Sequence, residues 1–252
     1  MRISKNNETI RSTDDWLRLA PPKGKEKQWV DGRSAKEVAR AWFPQEGEPV
    51  VPTELVAALA SCEDIGQIEF HEGWPECTVA LDRYKGETRN ADLLLTGVGN
   101  SGALIVSVEA KADEELGPTL DKQLAQATSP RSKIPDRLDN LCQALFGRPY
   151  DAEPRLDHLR YQLLTGSVGA LMSAAEHQCP TAVFLVHEFV GAATNDDKLR
   201  RNEADMNTFI AALSGGAHAE LKPGHVLGPF RPRGGEVDRR LALYVGRAVR
   251  EI

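Results

Sequence analysis

From Gln67 to Ala112 polar and apolar positions alternate with the period of strands, and on both sides of that block the period lengthens to that of helices. Gln67-Ile68-Glu69-Phe70-His71 and Thr78-Val79-Ala80-Leu81-Asp82 alternate residue by residue. Asp92-Leu93-Leu94-Leu95-Thr96 is a short apolar run, and Ala103-Leu104-Ile105-Val106-Ser107-Val108 is rich in β-branched residues. The connections are short and hold Gly and Asn, so the block predicts an antiparallel meander. Upstream, Ser34-Ala35-Lys36-Glu37 has the form of a capping box, with Ser34 as N-cap and Glu37 at N3, opening a helix that Pro44 stops near Phe43. A second helix is expected from about Thr53. Downstream, helices are expected over 119–127, 135–146 and 157–177, a buried strand over 181–187, a polar helix over 198–213, and late strands at Val226-Leu227 and Leu241-Ala242-Leu243-Tyr244-Val245. This order predicts an α/β fold with a mixed sheet. Residues 1–48 are read as a helical N-terminal segment packed on a domain over 49–252.

The chain has 252 residues, enough for one large domain, with 41% apolar and 27% charged residues, as in ordinary globular proteins. No apolar run approaches the roughly 20 residues that span a bilayer, and the N-terminus lacks a signal-peptide pattern, so a cytoplasmic location is expected. Cys62, Cys77, Cys142 and Cys179 are far apart and form no Cys-x-x-Cys pair, which argues against a zinc ribbon or a disulfide framework. The net charge of −6 counts against a non-specific nucleic-acid binder. Positive charge does gather near the C-terminus, where residues 231–252 hold six arginines against three acids.

One charged group ends an otherwise apolar strand: Val106-Ser107-Val108-Glu109-Ala110-Lys111. Residues i and i+2 of a strand share a face, so Glu109 and Lys111 point the same way. Asp92 opens the preceding strand, and in an antiparallel hairpin the start of one strand lies beside the end of the next. Two carboxylates and a lysine therefore meet at one end of the sheet. Such carboxylates, with a main-chain carbonyl, suit a hard cation such as Mg²⁺, which activates water at a phosphate, and a lysine there offsets phosphate charge. The acid-x-Lys pattern also occurs at Asp196-Asp197-Lys198 and Glu220-Leu221-Lys222, both in polar stretches. Spacing alone leaves open a Glu–Lys pair on a sheet edge.

Asp92 followed by Glu109-Ala110-Lys111 on consecutive strands resembles the PD-(D/E)XK nuclease superfamily, with its restriction-endonuclease-like fold. The stretches 34–37, 108–114, 159–164 and 182–187 are similar to a bacterial branch of that superfamily whose activity is unassigned. The resemblance implies an α-β-β-β-α-β core with a helical insertion over about 113–154. It makes Asp92, Glu109 and the Ala110 carbonyl metal ligands and Lys111 the catalytic lysine. Ala91 stands where many members have Pro. Some branches support the site with a Gln or Tyr at the start of the core helix, which nominates Gln162 and Tyr161. A further acid often comes from the preceding helix or strand, which nominates Glu54, Glu69 and Glu72.

Other motifs carry less. Gly97-Val98-Gly99-Asn100-Ser101-Gly102 matches G-x-G-x-x-G, but a strand-like run follows it where a dinucleotide site needs a helix. His71 with Cys77, or His177 with Cys179, fits no common metal spacing, and no nucleophile elbow is present. The leading expectation is a Mg²⁺- or Mn²⁺-dependent nuclease acting on nucleic acid, DNA foremost, without a membrane partner and compatible with a homodimer. The alternative is a non-catalytic binding or assembly protein on the same fold, its site weak or lost.

Overall fold

The computed structural model describes residues 1–82, 89–129, 131–192 and 194–252. The chain begins with a strand pair, β1 (Arg2–Lys5) and β2 (Glu8–Thr9), turned by Asn6 and Asn7 at φ 50° and 68°. Asn tolerates that left-handed conformation better than most residues. Three helices follow: α1 (Thr13–Leu19), α2 (Ser34–Trp42) and α3 (Thr53–Ala60). The meander is β3 (Glu69–Val79), β4 (Arg89–Gly99) and β5 (Gly102–Lys111). Then come α4 (Leu120–Ala125), α5 (Ile134–Phe146), α6 (Tyr161–Glu176), β6 (Thr181–Val190), α7 (Asp196–Ser214), β7 (His225–Phe230) and β8 (Ala242–Glu251).

Among the described residues eight strands make one sheet in the order β2-β1-β3-β4-β5-β6-β8-β7. β3, β4 and β5 pair antiparallel; β5, β6 and β8 run parallel; β7 closes one edge antiparallel to β8. The protein is thus α/β with a mixed sheet. Apolar side chains are buried on both faces. Ile105, Phe184, Val186 and Leu243 pack with Leu138 of α5, Leu163 of α6 and Phe209 of α7. Val106, Val108, Leu185 and Tyr244 pack with Trp16, Trp42 and Leu55 of α1 to α3. A strand covered on both faces reads as a continuous apolar run, which is why 181–186 alternates so little. α6 lies close to the sheet because it presents glycine there: a Cβ on Gly166 would stand 2.2 Å from the Phe184 ring.

Several expectations are corrected. The first residues are not only helical, since β1 joins the sheet parallel to β3, Arg2 and Ile3 pairing with Glu72 and Gly73. Ser34 is the first helical residue and not the cap; Arg33 takes the N-cap position without a side-chain bond, and Glu37 Oε1 instead accepts from the Gly32 N–H at 2.8 Å. The runs at 67–71 and 78–82 belong to one long strand, with a register shift between Phe70 and Glu72. β4 starts at Arg89, three residues before Asp92. The glycines at 97, 99 and 102 lie within strands, and only Asn100 and Ser101 turn the hairpin. Gly97 and Gly99 serve close approach: a Cβ there would stand 2.7 Å from the Glu69 carbonyl oxygen and 2.4 Å from that of Ile65. The core helix begins at Tyr161 rather than 157.

Candidate active site

The β4–β5 ladder pairs Leu93 with Val108 and Leu94 with Ser107, so the next residues, Asp92 and Glu109, face each other. The β3–β4 ladder pairs Pro75 with Leu93 and Cys77 with Ala91, which sets Glu76 opposite Asp92. Three acidic positions thus cross three adjacent strands. Lys111 Nζ donates to Glu109 Oε1 at 2.8 Å, as the shared strand face requires. Asp92 Oδ2 accepts the Ala110 N–H at 2.6 Å. Arg89 donates through Nη2 to Glu109 Oε2 and through Nη1 to Thr165 Oγ1 at 3.3 Å. Its guanidinium lies 5.5 Å from the centre of the Phe184 ring. Both oxygens of Glu109 are therefore engaged by cations. At Glu76 the backbone is left-handed, φ 46°, a conformation costing a non-glycine residue about 1–3 kcal/mol. Lys5 Nζ secures it by donating to the carbonyls of Pro75 and Glu76 at 3.0 and 2.8 Å.

The charges interact strongly because Glu109 and Lys111 are buried and Asp92 and Glu76 are half-buried beside them. Burial first, then the Glu109 charge, pushes Asp92 up to about 8. Burial also raises Glu76 to about 7, with a smaller push from Glu109. Burial would raise Glu109 too, but Lys111 and Arg89 hold it below the usual carboxylate range. Lys111 keeps its proton more tightly than an ordinary lysine: burial opposes this, but Glu109 and Asp92 outweigh it.

Two cavities, of about 660 and 430 Å³, meet at this cluster and share Lys23, Asn90, Asp92, Glu109 and Gln162. Gln162, in the first turn of α6, lines both, and its Oε1 is buried without a hydrogen-bond partner. Tyr161 lines the smaller. The remaining nominated acids are elsewhere. Glu54 is on the opposite face of the sheet, because α3 packs behind Ala110 and His187; it accepts from His187 Nε2 at 2.9 Å and Arg250 Nη1 at 3.2 Å. Burial would raise its pKa, but these partners hold it down to about 2. Glu69 pairs with Val98 near the far end of β4, and Glu72 with Thr96; both are exposed and line neither cavity. Sequence reasoning missed Arg89 and Glu76. Splitting β3 into two runs left Glu76 in a connection, and starting β4 at Asp92 left Arg89 outside the strand.

Among the described residues no group of three or more His, Cys, Asp or Glu side chains forms a metal cluster. The donor set present is two hard carboxylates beside a main-chain segment. Carboxylate oxygens are the donor type that a hard divalent cation takes. The four cysteines are free thiols. Among the described residues no helix is long and apolar enough to cross a membrane.

Fold and site together define an α/β protein with a mixed sheet and a buried acid–lysine–arginine cluster at a cleft. The chain belongs to the family described as Domain of unknown function (DUF6946), whose pattern matches residues 9–250. No curated protein and no solved structure matches it.

Proposed function

We propose that the protein is a divalent-metal-dependent nuclease hydrolysing phosphodiester bonds at Asp92, Glu109 and Lys111, on a restriction-endonuclease-like core. The observation that carries the reading is the joint placement of these three side chains along one cleft, Asp92 and Glu109 at its waist and Lys111 in the larger lobe, within the element order α3-β3-β4-β5-α6-β6. α4 and α5 stand between β5 and α6, where the insertion is expected. Asp92, Glu109 and the Ala110 carbonyl would hold Mg²⁺ or Mn²⁺. The bound cation supplies Lewis-acid polarisation of the phosphate and a more acidic water. Asp92 is oriented for this by the Ala110 N–H, and Arg89 fixes the rotamer of Glu109 from below. Lys111 stays charged and has N–H donors beyond the one given to Glu109. They can hold a water or offset charge that builds on the phosphate oxygens in the transition state.

A second reading, a non-catalytic binding or assembly protein, is favoured by one observation: both Glu109 oxygens are already ion-paired. A cleavage panel over DNA and RNA with Mg²⁺, Mn²⁺ or chelator, with Asp92→Ala as control, separates the two. Metal-dependent cleavage lost in the variant supports the nuclease. Absence of cleavage of every substrate, at a protein concentration that saturates binding, supports the binding protein.

A further inference from the structure

The cleft has two lobes with the acid pair between them. The N-terminal segment lines the larger lobe through Pro22, Lys23 and Gln28, Pro118 and the start of α6 line the smaller, and Lys23 and Gln162 line both. Each lobe falls within the roughly 300–1,000 Å³ of sites that enclose small molecules, the scale of one nucleotide. The reactive groups lie on the floor: the side chains of Glu109 and Lys111 are only 6% and 8% exposed. A phosphate on a flexible single strand can turn in towards such recessed groups, whereas one on a double helix is held back by the stiffness of the duplex.

The charges agree. Duplex binders neutralise many phosphates along a broad basic face. Here three of the six arginines of the C-terminal stretch are taken up by acids: Arg247 is buried against Glu188 and Glu203, Arg240 pairs with Asp238, and Arg250 with Glu54. At the cleft, by contrast, Lys23 is exposed, makes no ion pair among the described residues, and lines both lobes at the waist. Tyr161, its ring packed on the core below, lines the smaller lobe, and aromatic side chains are the usual sequence-tolerant contact for an unpaired base. The larger lobe adds Glu76 and Glu114, so a phosphate is best placed at the waist, beside Lys23 and the cation that Asp92 and Glu109 would hold.

We propose that the cleft takes an unpaired nucleic-acid strand, with one phosphate at the waist beside Lys23 and a flanking nucleotide in each lobe. The proposal rests on the nuclease reading for the chemistry at the waist, but it is tested by binding. A labelled short oligonucleotide is titrated with the full chain in Ca²⁺ and read by fluorescence anisotropy, as single-stranded DNA, single-stranded RNA and the matching DNA duplex; cleavage is read separately in Mg²⁺. At least one single strand should bind about tenfold tighter than the duplex, and the DNA and RNA arms show which sugar is accepted. With the cations that line the two lobes, Lys23, Lys111 and Arg89, engaged, log K should fall against log salt with a slope of about −2. Lys23→Ala should weaken single-strand binding about fivefold and make the slope shallower by about 0.7, with an unchanged melting temperature. Tyr161→Ala should weaken binding about tenfold. Duplex bound as tightly as single strand, a slope of about −6 or steeper, or no binding of any strand overturns the proposal. Strand-selective binding without cleavage would instead overturn only the nuclease reading, and cleavage without strand preference only this one.

Discussion

Asp92→Asn isolates the electrostatics of the site. The carboxyl of Asp92 titrates at about 8 in the folded protein, against 3.8 for a free aspartate. A raised folded pKa contributes stability fully at pH below the unfolded value, and that contribution is lost as pH rises through the folded one. The native protein without metal therefore weakens between about pH 4 and 8. At about 1.4 kcal/mol per unit the ceiling is about 6 kcal/mol. Water entering the cleft and adjustment of Lys111 reduce it, so about 2–4 kcal/mol is expected at pH 9. Asparagine keeps an oxygen for the Ala110 N–H and carries no charge. In chelator the variant should melt with the native protein at pH 4 and about 5–10 °C above it at pH 9. Metal should reverse the order. Mg²⁺ at about a hundred times its dissociation constant adds about 2.7 kcal/mol to a protein that binds it only when folded, and the asparagine variant should lose most of that gain. Scanning calorimetry from pH 4 to 9, with and without metal, reads both effects. Equal metal response in the two proteins would refute the metal site; a variant less stable than the native chain at pH 9 would refute the charge argument itself.

Lys111→Met should lower turnover at least a hundredfold with little change in substrate affinity, because the lysine acts on charge that develops in the transition state; single-turnover kinetics with a binding titration would show otherwise if affinity fell instead. Glu54→Gln should lose about 1–3 kcal/mol at pH 7 with cleavage intact, since its partners His187 and Arg250 lie on the far face. Its carboxyl is depressed to about 2, so the native advantage holds above pH 4.5 and vanishes on acidification towards 2; urea melts along that range check the trend. Gly99→Ala should cost 3 kcal/mol or more, roughly the upper end for forced overpacking, because its Cβ would meet the Ile65 carbonyl oxygen at 2.4 Å; a denaturant midpoint equal to the native one would contradict that contact.

The regular elements were legible where one periodicity dominates. The hairpin pairing of Leu93 with Val108, and the buried run of β6, follow from alternation and from continuous apolar sequence. Legibility failed where tertiary contacts override local pattern. β1 is four residues long and gains its place by pairing with β3 across nearly seventy residues of chain, which no local window reveals. The capping box failed because the Glu37 carboxylate found the Gly32 N–H and Arg40 instead of the helix end. β3 was split because the shift at Phe70 to Glu72 and the left-handed Glu76 interrupt its alternation, although the pairing with β4 continues to Val79.

The same contrast explains what the sequence showed of the site. Glu109 and Lys111 are visible because they are two apart on one strand, and Asp92 because a hairpin must return it to them. Arg89 and Glu76 take part only because of where neighbouring strands and α6 place them. Yet Arg89 makes the visible triad physically tenable. A buried Glu109 with Lys111 alone would face Asp92 and Glu76 as an acidic surplus in a medium that amplifies repulsion. The guanidinium adds a second positive charge, anchored on Thr165 and against Phe184, and Asp92 and Glu76 respond by holding their protons to about 8 and 7. Near neutral pH the metal-free cluster is therefore close to balanced by partial protonation. A divalent cation held by Asp92 and Glu109, as proposed, would displace the proton of Asp92 and restore its charge. Burial apart, the repulsion that raises Asp92 is the repulsion such a cation would relieve, and it is set by three adjacent strands and a helix that no single stretch of sequence contains.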